Sequence, residues 1–177
     1  MRFFPFPDKT ACIEELKRDK YYDRIPEEDR QRILHDAWQR GELAAREFFA
    51  AGLVTVFQAM EQEGLEIERA DRDMVVGGTR YFAEIYVKTK KVILYPPSIA
   101  LWAEHNSLTE AQAEELILAH EYFHYLEHTV LTPAGSTYRV PAVQLFGRTL
   151  MYAGLSSVSE IGAHSFARAY FQTIMQP

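Results

Sequence analysis

Cysteine is nearly absent. The single Cys12 among 177 residues excludes an intrachain disulfide and any zinc knuckle built from thiolates, and it suits a reducing compartment. Long hydrophobic runs are also missing: the longest uncharged run in the first half, Phe48 to Met60, falls short of the ~20 residues that a bilayer span requires. No transmembrane helix is expected. The N-terminal stretch Met1-Arg2-Phe3-Phe4-Pro5-Phe6-Pro7 is broken by two prolines and followed by Asp8 and Lys9, so it lacks the continuous apolar centre of a signal peptide. These absences point to a cytoplasmic protein. Positive charge is in the minority, 19 Lys and Arg against 25 Asp and Glu for a net −6, which argues against nucleic acid or an anionic membrane as the main partner. Only 9 Gly and 8 Pro stand beside 47% hydrophobic residues, excluding collagen-like, low-complexity and disordered classes.

What is present reads as one α+β domain over residues 1–177, mostly helical with one small antiparallel sheet. Residues 1–70 form an N-terminal helical part. Asp8 or Thr10 can cap a first helix, Pro26-Glu27-Glu28 has the proline-then-acid signature of a helix start, and Gly41 offers a break or hinge. Phe49, Leu53, Val56, Phe57 and Met60 recur at helical spacing, predicting one amphipathic helix that ends near Gly64. The period then changes. Alternation through Tyr81–Lys88 and the β-rich Val92-Ile93-Leu94-Tyr95 predict a hairpin, with Gly77-Gly78 turning the chain before it and Lys88, Lys90 and Lys91 at its solvated tip. Ser107 with Glu110 predicts a capping box, followed by a helix from Leu108 to about Val130 that Thr132–Ser136 terminates. A last helix is expected from about Glu160 to Met175.

The chemistry-bearing motif lies inside the longer of these helices. In His120-Glu121-Tyr122-Phe123-His124 the two histidines, four apart, stack on one helix face and can converge on one metal ion, while Glu121, about 100° around the axis, can reach a water beside it. This is the HExxH pattern, in which zinc polarises a water and the glutamate takes its proton. The alternative is a histidine pair held by hydrogen bonds in a helical core. A catalytic zinc takes three protein ligands, and Glu160 and His164, one turn apart, both offer the third. His128 lies too far along the axis from His120 to join them and is read as a supporting residue.

The runs Leu118-Ala119-His120-Glu121-Tyr122-Phe123-His124-Tyr125 and Glu160-Ile161-Gly162-Ala163-His164-Ser165-Phe166-Ala167 resemble the two motifs of the ImmA/IrrE-type metallopeptidases, a gluzincin group. The resemblance covers about residues 80 to 171. It implies a zincin-like fold with a strand pair before the HExxH helix, Zn2+ as cofactor, His120, His124 and Glu160 as ligands, and Glu121 as general base. Phe123 stands where that family has Gly, and His164 where it has Asn.

His164 is then assigned to support a ligand or to donate to the oxyanion, a role for which Tyr138, Arg139, Arg148 and Tyr152 between the motifs are further candidates. Trp38 and Trp102 are read as packing aromatics, His35 and His105 as surface histidines. The expected function is zinc-dependent hydrolysis of a peptide bond, with a peptide or protein as partner and the hairpin edge from Tyr81 to Tyr95 as its docking strand. The competing reading is a catalytically silent zincin-like module in which zinc serves structure or protein interaction. No oligomeric state is legible.

Overall fold

The computed structural model describes residues 4–132, 137–146 and 148–174. Its architecture is α+β and mainly helical. Helices α1 (Ile13–Arg18) and α2 (Glu27–Ala50) are followed by α3 (Val56–Gln62), then strands β1 (Glu66–Arg69), β2 (Met74–Val76), β3 (Thr79–Tyr81), β4 (Ala83–Tyr86) and β5 (Lys91–Leu94). Helices α4 (Pro96–His105) and α5 (Glu110–Thr129), the hairpin β6 (Arg139–Leu145) and β7 (Arg148–Gly154), and α6 (Ser157–Ile174) complete the chain. Among the described residues no helix is long and apolar enough to cross a membrane.

Helix α2 starts where Pro26 and the acids Glu27, Glu28 and Asp29 favour it, since proline presets φ and carboxylates suit the positive helix end. Gly41 does not break it. A Cβ there would lie 2.1 Å from the carbonyl oxygen of Gly162, so this glycine lets α2 and α6 touch backbone to backbone. The predicted helix through Phe49 to Met60 is two helices: α2 stops at Ala50, Gly52 adopts φ 79°, and Thr55 opens α3 by accepting from the Gln58 amide at 3.2 Å. The cap of α5 also moves. Thr109 and Gln112 form the reciprocal capping box, whereas Ser107 sits at φ 55° before it.

The hairpin β4–β5 is antiparallel as read, pairing Ala83 with Leu94 through Tyr86 with Lys91. Strand β1 adds to β5 in parallel, giving the order β1-β5-β4. Periodicity missed β1 because its exposed residues Glu66, Glu68 and Arg69 carry little apolar signal. Gly77 and Gly78, both at positive φ, make the two-residue turn of a separate hairpin, β2–β3, a geometry that non-glycine residues adopt with strain. At the tip of β4–β5, Lys90 donates to the Glu63 carbonyl at 2.7 Å and Lys91 pairs with Glu68. A third hairpin, β6–β7, occupies the connection between α5 and α6.

Two buried clusters hold these parts. One gathers Phe48, Met60, Leu94, Leu118, Phe123, Phe166 and Tyr170 from α2, α3, β5, α5 and α6. The other joins Leu16, Ile33, Trp38, Leu155 and Ile161 around α1 and the first half of α2. Helices α2 and α6 contribute to both, so the position of α6 is fixed along its whole length.

Candidate metal centre

Helix α5 presents His120 and His124 on one face, and α6 brings Glu160 against them. The two Nε2 atoms are 3.2 Å apart. Glu160 Oε2 lies 3.3 Å from His120 Nε2, and Oε1 lies 3.5 Å from His124 Nε2. The three ligand atoms fall within 4.8 Å of one another, and two imidazoles with one carboxylate are a donor set that suits zinc. The side chains present therefore fit a bound divalent cation. His164, the other candidate for third ligand, is placed differently: its ring centroid is 5.0 Å from that of His120, and its Nδ1 is buried without a hydrogen-bond partner.

Glu160 is free for this role because another residue caps its helix. Asp19, at the end of α1, accepts from the Ser157 amide and hydroxyl, each at 3.0 Å, and from the Ser156 hydroxyl at 3.3 Å. The first turn of α6 is thus satisfied by a carboxylate from a distant part of the chain. Burial pushes Glu160 up, but the His120 hydrogen bond and the charges of His120 and His124 outweigh it and hold the carboxyl at about 2.

Glu121 faces the same space. Burial raises its carboxyl above the usual range, against the pull of His120 and His124, which suits a proton acceptor working near neutrality. Burial and repulsion from His120 push His164 down to about 3, leaving a neutral imidazole. On the far side of the cluster, His124 Nδ1 is 2.9 Å from Ser159 Oγ and 3.9 Å from Glu127 Oε2. Burial lowers the tendency of His124 to hold a proton, but its bond to Glu127 and the charge of Glu160 more than compensate.

A cleft of about 320 Å³ opens onto the centre. Phe6, Phe82, Trp102 and Ile117 form its apolar wall; His120, Glu121, Glu160 and His164 form its polar floor; Arg80 and Tyr81 stand at its rim. Phe6 stacks on His120 with ring centroids 5.6 Å apart and packs against His164 and Trp102. The cleft also runs along Phe82 and Ala83, at the start of the outer strand β4.

Four expected oxyanion donors are elsewhere. Tyr138 donates to Asp36 on α2 at 2.6 Å, Arg139 donates to the Tyr152 carbonyl at 3.3 Å, and Arg148 and Tyr152 are exposed on β7. None of them lines the cleft, because the connection carrying them folds into a hairpin against α1 and α2. His128 is exposed at the end of α5 and supports nothing in the site. His35 and His105 are exposed as read; Trp38 is core, while Trp102 is cleft wall. Sequence reasoning missed Phe6, Arg80 and Glu127. Glu127 alone left a trace, its i,i+3 spacing from His124 placing both on one helix face.

Comparison with models of protein families, with curated proteins and with solved structures returned no match.

Proposed function

We propose that the protein is a zinc-dependent peptidase of the ImmA/IrrE-like, gluzincin kind, with His120, His124 and Glu160 as ligands and Glu121 as general base. One observation carries this reading: three ligand atoms from two helices converge within 4.8 Å, with the half-buried Glu121 beside them over an apolar cleft. A structural site has no use for a base at an open coordination position.

Zinc bound there would supply Lewis-acid polarisation of the scissile carbonyl. Glu121 takes the proton of the attacking water and delivers it to the departing amide nitrogen. His164, held neutral, offers an N–H to the oxygen on which negative charge develops. The outer edge of β4 binds an extended peptide by strand addition, so backbone hydrogen bonds set its direction, while Phe82, Trp102 and Ile117 receive an apolar side chain.

Metal analysis with the Glu121→Gln variant tests the proposal. Protein purified without added metal should carry close to one zinc per chain, and the variant should keep it while losing at least ~10²-fold in hydrolysis. A variant as active as wild type refutes the role of Glu121. Zinc binding without cleavage of any peptide would instead favour the silent module.

A further inference from the structure

We propose that Ser159 and Glu127, anchored by Arg40, form a proton-ordered bridge that fixes His124 in the tautomer able to bind a metal. The inference rests on the metal-centre reading and assigns a positioning role to residues outside the ligand set.

The order of protons follows from what each group can do. An ionised carboxylate only accepts, and a serine hydroxyl has one proton to give. Ser159 donates that proton to Glu127 Oε2, so its oxygen is left to accept, and the group facing it at 2.9 Å is His124 Nδ1. Nδ1 must then carry the imidazole proton. In the neutral ring the Nε2 lone pair is then left pointing where His120 Nε2 and Glu160 Oε1 meet, at 3.2 and 3.5 Å.

Glu127 is only 3% exposed, and a buried carboxylate without compensation is costly. Arg40 of α2 supplies the opposite charge, its Nε 3.5 Å from Glu127 Oε1, and is itself tied to the Thr132 carbonyl. The bridge therefore runs from α2 through α5 and the first turn of α6 to a ligating ring. A carboxylate behind such a ring also raises its basicity. His120 provides an internal contrast, because its Nδ1 is buried with no hydrogen-bond partner among the described residues. Only one of the two ligand histidines is ordered in this way.

Nitrogen-15 NMR of histidine-labelled, metal-free protein reads the tautomer directly, and chelator competition reads zinc affinity. At a pH high enough for the ring to be neutral, wild type should show His124 as the Nδ1–H form. Ser159→Ala should convert it to a mixture and weaken zinc binding by about 10–100-fold, the usual range for residues supporting a ligand, whereas Ser159→Thr, which keeps the hydroxyl, should restore both. Glu127→Gln should reproduce the Ser159→Ala effect, with circular dichroism confirming that each variant is folded. An Nε2–H tautomer in wild type, or unchanged tautomer and zinc affinity in Ser159→Ala, would overturn the bridge. A wild type that takes up no zinc while its His124 tautomer still follows the Ser159 series would overturn the metal reading and leave the bridge standing.

Discussion

A Cβ built on Gly162 would lie 2.6 Å from both Cε1 and Cζ of Phe123. The fully buried Phe123 ring on α5 thus occupies space left by a glycine on α6, two residues from Glu160 and one from His124. The pair sets the spacing between the two helices that carry His120, His124 and Glu160.

Gly162→Ala should destabilise the protein by about 1–3 kcal/mol, the usual cost of overpacking a core. Gly41→Ala should cost more, because its Cβ would meet a backbone oxygen at 2.1 Å, and a backbone atom cannot rotate aside as a ring can. Urea denaturation of both variants checks the order. Equal costs would mean that α2 and α6 separate more readily than their contact suggests.

The HExxH helix and the shared face of His120 and His124 were legible because three chemical groups at fixed spacing leave a strong local signal. Glu160 and His164 stood as two candidates, since spacing along α6 cannot say which side chain brings an atom near both histidines. Tyr138, Arg139, Arg148 and Tyr152 were misjudged for a related reason: lying between two motifs in sequence is no measure of nearness when the connection folds into a hairpin. Gly41 looked like a break because the helix it would touch lies far along the chain. Phe6 carried no signal at all, its place beside His120 being set wholly by tertiary packing.

The start of α5 gives a direct test of local reading against structure. Thr109→Ala removes the side chain that accepts from the Gln112 amide and should cost about 1 kcal/mol. Ser107→Ala should cost little, and Ser107→Gly should be neutral or mildly stabilising because Ser107 has φ 55°. Thermal unfolding distinguishes the two sites, and the opposite order would restore Ser107 as the cap.

Asp19 should link stability to acid. Burial alone would raise its carboxyl, but the amides of Ser157 and Tyr21 and the hydroxyls of Ser157 and Ser156 bring it below the ordinary value. A depressed folded value contributes stability that is present above the unfolded pKa of ~3.9 and is lost as pH falls through the folded one. Asp19→Ala should therefore lose about 1–3 kcal/mol at neutral pH and show a shallower decline in stability below about pH 4. An acid limb as steep as that of wild type would assign the effect to other carboxylates.

The roles of Glu160 and His164 separate by zinc affinity. Glu160→Ala should lose far more than the roughly 10–100-fold typical of supporting residues. His164→Ala should stay within that range and act mainly on turnover. Chelator competition measures the first effect and steady-state kinetics the second, and the reverse order would exchange the two assignments.

Backbone contact between α2 and α6 also bears on the order of folding. Ser165 donates to the Trp38 carbonyl at 2.7 Å across a sequence separation of 127 residues, and closing so long a loop is entropically paid before its contacts stabilise anything. His120 and His124 come together as soon as α5 winds, whereas Glu160 reaches them only after α6 has docked on α2. Uptake of a metal ion that needed all three side chains would thus report a late event in folding. Its rate, followed in refolding protein, would time the closure of the chain.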